Sequence, residues 1–321
     1  MKVLMTYDMY RDGFIELFER YDVTHPERKD FSFEEVMEMI PSYDVLCPMF
    51  NFPVNKELID KAPKLRFIAN YAVGYNNIDV AYALKRGIAV ANTPDPVIAP
   101  TANLALGLMI DVARRITECD RKLRIQRDTM KIGILNNMGT SITGQTLGIL
   151  GMGRIGKALC KRARACGMEI IYHNRRQLDI EEETKLNVTY VSFDDLLKKS
   201  DFLSINAPYS PETYHIIDEK ALKSMKSSAI LINTARGALV DEHALVNALK
   251  NNYIRGAALD VFEFGDFPVP ELLELENVVL TPHIGTQTER ARFEMAKTVS
   301  NNVIGFIEGD RKVFLITSWM L

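Results

Sequence analysis

The chain has 321 residues, of which 47% are hydrophobic and 25% charged, and its formal net charge is -3. This length exceeds what one compact core usually holds, so we expect two domains. No apolar run is long enough to cross a bilayer, which argues against a membrane protein. The absence of a basic block argues against nucleic acid or an anionic membrane as partner. A small-molecule ligand is the expected partner.

The amino terminus lacks the basic, apolar and small-residue regions of a signal peptide, so the expected location is the cytoplasm. The four cysteines stand at no metal-ligand or CxxC spacing: Cys47, Cys119, Cys160 and Cys166. We therefore expect reduced cysteines that serve packing, and no metal site.

Short β-rich runs alternate with amphipathic helical stretches, which indicates an α/β protein with mostly parallel sheets. A first set of strands is predicted at 3–6, 45–49, 67–70 and 89–91, with helices at 33–39 and 55–61. After three prolines, one long helix is predicted from Thr101 to about Arg127, as an interdomain or dimer helix. Four apolar residues at four-residue spacing line one of its faces: Leu104, Leu108, Val112 and Ile116.

A second set of strands is predicted at 146–150, 169–172, 202–205, 230–233, 256–259 and 278–281. A last helix at 291–307 is expected to return the chain to the first domain. The strongest local signal is Gly151-Met-Gly153-Arg-Ile-Gly156, which follows a predicted strand and opens a predicted helix. In that context the glycines predict a turn that binds the pyrophosphate of a dinucleotide, whereas a GxGxxG alone also occurs as an ordinary glycine-rich turn.

The end of the next strand indicates which dinucleotide is bound. An acidic residue there usually accepts hydrogen bonds from the ribose of NAD, but this chain has Asn174, Arg175 and Arg176. Two guanidinium groups can bind a 2′-phosphate, so NADP(H) is favoured and NAD(H) stays possible. The same two arginines also fit a solvated surface loop.

Seven spaced motifs run along nearly the whole chain. They are residues 70–79, 100–107, the glycine turn, Ala207-Pro-Tyr-Ser-Pro-Glu-Thr213, Asn233-Thr-Ala-Arg-Gly237, Ala258-Leu-Asp-Val-Phe-Glu263 and Thr281-Pro-His-Ile-Gly285. On these motifs the chain resembles the D-isomer-specific 2-hydroxyacid dehydrogenases, in particular the glyoxylate/hydroxypyruvate reductase branch. The resemblance implies hydride transfer between NAD(P)H and a small 2-oxo or D-2-hydroxy acid.

The resemblance also implies a fold and an assembly. It predicts Rossmann-like and flavodoxin-like domains with parallel sheets, the nucleotide-binding domain being inserted into the substrate domain. We expect the substrate domain at 1–99 and 289–321 and the NAD(P)-binding domain at 100–288. A homodimer formed through the long helix is expected on the same ground.

Hydride transfer to a 2-oxo acid requires a cation for the carboxylate and a proton donor for the new alkoxide. Arg236 and His283 match these roles in the resembling family. The backbone amides of Val73 and Gly74 match the loop that holds the carboxylate. Asp260 matches the residue that contacts the nicotinamide amide, although a cap at the strand end is an alternative. The other residues matched to cofactor binding are Thr101, Gly151, Gly153, Arg154, Ile155, Gly156, Ala207, Pro208, Thr213, Thr234, Ala235 and Gly285.

The sequence departs from the family at one important position. The family orients its histidine with a glutamate five residues beyond the aspartate of Leu-Asp-Val, and this chain has Gly265 there. Glu263 or Asp266 could substitute if the loop is shifted. Two other functions therefore stay open: a cofactor-sensing or interaction protein with weak turnover, and a relative of formate or phosphite dehydrogenases.

The substrate side chain is expected to face Met49-Phe50-Asn51-Phe52. The two phenylalanines in this segment favour an apolar substituent on the acid, or they belong to the core.

Overall fold

The computed structural model describes residues 1–27, 29–49, 51–125 and 130–317. The chain divides into two compact units. Unit 1 comprises Met1–Val97 and Thr286–Leu321, and unit 2 comprises Ile98–Gly285. Both units are α/β structures with parallel sheets, which confirms the predicted fold class.

Unit 1 contains a five-stranded parallel sheet in the order β2-β1-β3-β4-β5. This is the flavodoxin-like strand order. Its strands are β1 (Lys2–Met5), β2 (Asp22–Thr24), β3 (Val45–Cys47), β4 (Phe67–Ala69) and β5 (Ala89–Ala91). Its helices are α1 (Ile15–Arg20), α2 (Phe33–Met39), α3 (Lys56–Lys61), α4 (Val80–Lys85) and, from the end of the chain, α13 (Glu289–Glu308). The central strands are buried because the helices cover both faces of the sheet.

Unit 2 contains a seven-stranded parallel sheet in the order β12-β11-β10-β9-β6-β7-β8. The order reverses between β6 and β9, as in Rossmann folds, which bind ligands at the carboxyl ends of the strands beside this reversal. The strands are β6 (Thr146–Leu150), β7 (Glu169–His173), β8 (Thr189–Tyr190), β9 (Phe202–Ile205), β10 (Ile230–Asn233), β11 (Gly256–Leu259) and β12 (Val278–Leu280).

Helices cover both faces of this second sheet and form two hydrophobic clusters with it. They are α5 (Ile98–Arg114), α6 (Ile116–Ile125), α7 (Arg154–Ala165), α8 (Ile180–Leu186), α9 (Phe193–Lys199), α10 (Glu219–Ser224), α11 (Glu242–Lys250) and α12 (Pro270–Leu273). In the part of the chain described, no helix is both long and apolar enough to span a membrane.

The prediction of one helix from Thr101 to about Arg127 is wrong, because the segment forms α5 and α6 with a break at Arg115. That residue has a left-handed φ of +58°. The Asp111 carboxylate stabilises the break by accepting hydrogen bonds from the Thr117 amide at 2.7 Å and hydroxyl at 2.6 Å. The apolar face ends here, since Ile116 is 53% exposed. Arg127 itself lies outside the described residues.

Two strands, β2 and β8, are absent from the sequence-based predictions. Each lies at the edge of its sheet and has only three or two residues, some of them exposed. So short an edge strand shows neither a continuous apolar run nor a regular alternation.

Glu118 at the start of α6 gives a pH-dependent contribution to stability. Its carboxylate accepts hydrogen bonds from Arg115 Nε and Lys122 Nζ, each at 2.7 Å. The Arg115 hydrogen bond, followed by that of Lys122, lowers the pKa of Glu118 from 4.5 to about 2. A lowered carboxyl pKa stabilises the folded state fully above pH 4.5, and this stabilisation is lost as pH falls through about 2.

We therefore expect Glu118→Gln to lower the free energy of unfolding at neutral pH, and the difference from wild type to shrink below pH 4.5. Urea unfolding of both proteins at a series of pH values from neutral downward measures this difference in the free energy of unfolding. Exposed Glu274 supplies the control Glu274→Gln. A difference that is the same at all pH values would contradict the assignment.

Candidate active site

The glycine turn follows β6, beside the reversal of the sheet order. Gly151 has a φ of +97°, and a Cβ there would lie 2.5 Å from the Ala207 nitrogen. A Cβ at Gly156 would lie 2.5 Å from the Gly151 carbonyl oxygen. Both positions therefore require glycine for packing. Gly153, the N-cap of α7, has open space where its Cβ would be, which leaves room for a ligand at the helix amino terminus.

Asn174 joins the end of β7 to this turn, because its Oδ1 accepts a hydrogen bond from the Met152 amide at 2.6 Å. The next two residues, Arg175 and Arg176, are exposed. Two exposed arginines thus follow the strand end that is joined to the glycine turn, where the sequence predicts recognition of the adenosine ribose.

The loop after β9 is closed by the Thr213 hydroxyl. This group accepts a hydrogen bond from the Ser210 amide at 2.7 Å and donates one to the Pro208 carbonyl at 3.0 Å. The pKa of Glu212 in the same loop is lowered, first by a hydrogen bond with the Ser210 side chain and also by the charge of Arg175. Arg175 therefore lies on the same side of unit 2 as Glu212.

Two buried polar atoms lie just beyond the carboxyl ends of β9 and β10. Asn206 Oδ1 and Thr234 Oγ1 have no hydrogen-bond partner among the described residues. Unpaired buried polar atoms are costly, so a ligand that pairs with them stabilises the site. Together with the open space at Gly153, they fit a dinucleotide. Within the described ranges, no group of three or more His, Cys, Asp or Glu side chains is placed to hold a metal ion.

Asp260, 1% exposed, anchors the turn that carries His283. Its carboxylate accepts hydrogen bonds from the Thr281 hydroxyl at 2.6 Å, the Ile284 amide at 2.8 Å and the Gly285 amide at 2.9 Å. His283 has a left-handed φ of +53°, and its amide donates to the Asp260 carbonyl at 2.9 Å. Burial raises the pKa of Asp260, although these hydrogen bonds and the His283 charge oppose the rise. The Asp260 carboxylate thus caps the turn that carries His283.

Thr101, in the first turns of α5, lies close to the same turn. A Cβ at Gly285 would be 3.2 Å from Asp260 Oδ2 and 3.5 Å from Thr101 Oγ1. A larger residue at this position would press on both side chains. The structure therefore brings together three of the residues that the sequence matched to cofactor binding.

Arg236 lies in the turn after β10. Asn233 shapes this turn, donating from Nδ2 to the Arg236 carbonyl at 2.9 Å and accepting at Oδ1 from the Ala235 amide at 3.0 Å. The guanidinium is half-buried and donates to the Ala235 carbonyl at 2.6 Å. Burial lowers the pKa of Arg236 from its usual 12.5, and the group stays charged at neutral pH.

No ion pair among the described residues includes Arg236. A cation that is partly desolvated and lacks a carboxylate partner in the protein favours an anionic ligand. Arg236 thus has the properties expected of a residue that binds a carboxylate.

In the loop after β4 in unit 1, two backbone carbonyl groups accept hydrogen bonds from asparagine side chains. Asn70 Nδ2 donates to the Gly74 carbonyl at 2.9 Å, and Asn92 Nδ2 donates to the Val73 carbonyl at 2.8 Å. The amides of Val73 and Gly74 donate no hydrogen bond to the described residues. This loop therefore has two backbone amides that have no hydrogen-bond acceptor among the described residues.

Asn77 ties the neighbouring segment to this loop, donating from Nδ2 to the carbonyls of Met49 and Phe52, each at 3.1 Å. The Phe52 ring lies 6.0 Å from that of Phe33 and belongs to the core of unit 1. Phe52 is thus a core residue, which is one of the two roles that the sequence left open for it. Phe50 lies outside the described residues.

Gly265 contributes no side chain and has a φ of +123°. Glu263, one of the two candidates to replace the missing glutamate, forms a short contact of 2.5 Å with His215 Nε2 and accepts a hydrogen bond from the Glu242 amide at 3.2 Å. Asp266, the other candidate, is exposed. Sequence reasoning missed His215 and Glu242, whose partners are distant along the chain.

Residues 106–285 match the model of the D-isomer specific 2-hydroxyacid dehydrogenase, NAD binding domain. The chain is 49% identical over 279 residues to a glyoxylate reductase of Thermococcus litoralis, covering 86% of this chain and 84% of that protein. The structure of a glyoxylate reductase from Paecilomyes thermophila has a TM-score of 0.89 at 36% identity and covers 99% of both chains.

A further similar structure is the NADPH-dependent glyoxylate/hydroxypyruvate reductase of Sinorhizobium meliloti in complex with NADP and malonate. Its TM-score is 0.85 at 28% identity, and the match covers 98% of this chain and 96% of that one.

These matches, with the site geometry, show that the chain belongs to the D-isomer specific 2-hydroxyacid dehydrogenase family. It is an NAD(P)-dependent oxidoreductase that acts on small 2-oxo and 2-hydroxy acids. The resemblance found in the sequence motifs is confirmed.

Proposed function

We propose that this enzyme reduces glyoxylate and closely related 2-oxo acids, such as hydroxypyruvate, with NADPH. The half-buried Arg236 guanidinium, which forms no ion pair with the described residues, carries the proposal, because it suits the carboxylate of such an acid. The glyoxylate reductase relatives support the choice of acid. We place the enzyme in the cytoplasm, consistent with its four free cysteines.

Unit 2 is assigned as the NAD(P)-binding domain and unit 1 as the substrate domain. The glycine turn and the amino terminus of α7, with Arg154 and Ile155, would hold the pyrophosphate. Thr101, Ala207, Pro208, Thr213, Thr234, Ala235, Asp260, His283 and Gly285 are assigned to the rest of the cofactor. The bound nicotinamide supplies the hydride that reduces the substrate.

Three groups of the chain act on the substrate in this proposal. Arg236 binds the carboxylate and polarises the 2-oxo group, because a planar guanidinium can donate to both. His283 in its charged form donates a proton to the alkoxide oxygen that forms on reduction. In unit 1, the amides of Val73 and Gly74 are assigned to recognition of the carboxylate.

The proposed preference for NADPH rests on the end of β7. Asn174 has no negative charge to repel a 2′-phosphate, and Arg175 and Arg176 are both exposed and positively charged. NADH is expected to be the poorer cofactor.

Initial rates over a panel of 2-oxo acids with NADPH and NADH test the proposed function. We expect glyoxylate or hydroxypyruvate with NADPH to give the highest kcat/KM.

Replacing Arg175 and Arg176 by alanine should raise the KM for NADPH by about tenfold or more, and the KM for NADH much less, since each charged hydrogen bond contributes about 1.5–3 kcal/mol. Equal losses for both cofactors would contradict the preference, and oxidation of formate or phosphite alone would contradict the substrate class.

Arg236→Ala should lower kcat/KM for the 2-oxo acid by about 100-fold or more, because carboxylate binding and carbonyl polarisation are lost together. Arg236→Lys should lower kcat/KM less than Arg236→Ala does, but still to well below that of wild type, since a lysine lacks the planar pair of donors of a guanidinium. The control is Arg66→Ala, at an exposed arginine of unit 1. If Arg236→Ala stays within a few-fold of wild type, Arg236 does not bind the carboxylate.

Gly265→Glu tests whether a carboxylate at the family's position strengthens His283 as the acid. Its φ of +123° makes any side chain at 265 strained, so Gly265→Ala is the matched control. Relative to Gly265→Ala, the glutamate variant should shift the alkaline limb of kcat/KM for reduction upward by about 1 pH unit, because a nearby carboxylate favours the imidazolium. If the alkaline limbs of the two pH profiles are identical, a carboxylate at position 265 does not strengthen His283 as the acid. Full activity of His283→Ala would show that His283 is not the acid.

We also propose a homodimer. The segment after α6 exposes four large apolar side chains, Ile132, Ile134, Leu135 and Met138, the first two being 90% and 98% exposed. So much exposed apolar surface is unusual for a monomer. We expect a dimer in sedimentation velocity and a shift toward monomer in Ile134→Asp. A monomeric wild type would contradict this.

A further inference from the structure

A cluster of polar side chains outside the proposed reacting groups connects three segments of unit 2. Glu242, the first residue of α11 and 1% exposed, accepts hydrogen bonds from the amides of Glu263 at 2.6 Å and Val269 at 3.0 Å. The Glu263 side chain, 7% exposed, accepts in return from the Glu242 amide and contacts His215 Nε2 at 2.5 Å. The two glutamates thus fix both ends of the loop from Glu263 to Val269.

The surroundings explain why this cluster is acidic. Glu242 and Asp241 lie at the amino terminus of the nine-residue helix α11, where the helix dipole favours carboxylates. His215 faces Glu263 on one side and Asp241 Oδ2 at 3.9 Å on the other, and its ring stacks on Tyr214. His215 is therefore hydrogen-bonded to Glu263 and lies within ion-pair distance of a second carboxylate, that of Asp241.

The same loop packs directly on the turn that carries Arg236. A Cβ at Gly237 would lie 1.9 Å from the Phe262 carbonyl carbon and 2.4 Å from the Glu263 nitrogen. The peptide after Arg236 therefore rests on the peptide that begins the Glu263 loop. The His215 amide also donates to the carbonyl of Ala238, two residues after Arg236, at 2.9 Å.

We infer that Glu263, held between His215 and the start of α11, is a positioning residue for Arg236. It fixes the peptide against which the Arg236 turn rests, and so sets where the guanidinium meets the substrate carboxylate. The inference rests on the proposed role of Arg236 as the carboxylate-binding group. No contact of Glu263 with substrate or cofactor is needed.

Glu263→Ala should raise the KM for the 2-oxo acid by about tenfold or more, because a displacement of about 1 Å at a binding group costs up to about 100-fold. The KM for NADPH should rise much less than that for the 2-oxo acid, since the glycine turn and the end of β7 are not part of the cluster. Glu271, exposed and near the same loop, supplies the controls Glu271→Ala and Glu271→Gln.

Glu263→Gln gives a readout that a purely structural role would not change. With neutral His215, the glutamine can donate its NH2 to Nε2 and accept from the Glu242 amide with its oxygen, so the contacts are kept. With doubly protonated His215, either orientation of the amide leaves two donors facing each other. The ratio of kcat/KM of Glu263→Gln to wild type should therefore be near one at alkaline pH and about tenfold lower at acidic pH.

Hydrogen exchange separates failure of this inference from failure of the proposed function. Amide exchange at 236–240 should be faster in Glu263→Ala than in wild type and near wild type in Glu263→Gln at alkaline pH. If the wild type reduces no 2-oxo acid, the proposed function fails, and exchange still decides whether Glu263 holds the turn. Unchanged exchange would overturn the inference, and so would faster exchange with an unchanged KM in an active enzyme.

Discussion

The Arg236 guanidinium is half-buried without an ion-pair partner among the described residues, and the site depends on how the protein holds that charge. Burial of an unpaired cation is unfavourable, so the surrounding structure must fix it. Asn233 fixes its turn through two hydrogen bonds. Gly237 allows that turn to rest on the neighbouring peptide. In the proposed function, binding of an anionic substrate offsets the free-energy cost of this burial.

Parallel strands explain why the other candidate site residues lie at the same edge of unit 2. The glycine turn, Asn206, the Arg236 turn and Asp260 follow β6, β9, β10 and β11, which are neighbours in the sheet. Carboxyl ends of parallel strands share one edge, so each strand contributes a group there. Asp260 then holds the turn of His283 after β12.

The sequence predicts the central strands well, because strands covered on both faces appear as continuous apolar runs. It also predicts the glycine turn, whose residues are adjacent in the chain. It does not predict the break at Arg115, which depends on a left-handed residue and on hydrogen bonds that the Asp111 carboxylate accepts from Thr117. A four-residue apolar spacing continues through that break and hides it.

The contacts of Glu263 are beyond sequence reasoning for a different reason. Its partners His215 and Glu242 are 48 and 21 residues away, and no local pattern connects them. From the sequence, Glu263 is a candidate for the carboxylate that would orient His283. In the structure, Glu263 is hydrogen-bonded to His215. Long-range hydrogen bonds of this kind depend on topology, which a motif does not specify.

Isotope transfer tests the central claim most directly, namely that the chain moves a hydride from NADPH to C2 of a 2-oxo acid bound in one orientation. The enzyme is given hydroxypyruvate and NADPH deuterated at both C4 positions, and the product is examined by mass spectrometry and chiral chromatography. The account predicts D-glycerate with one deuterium at C2. Unlabelled product, racemic product or L-glycerate would contradict it.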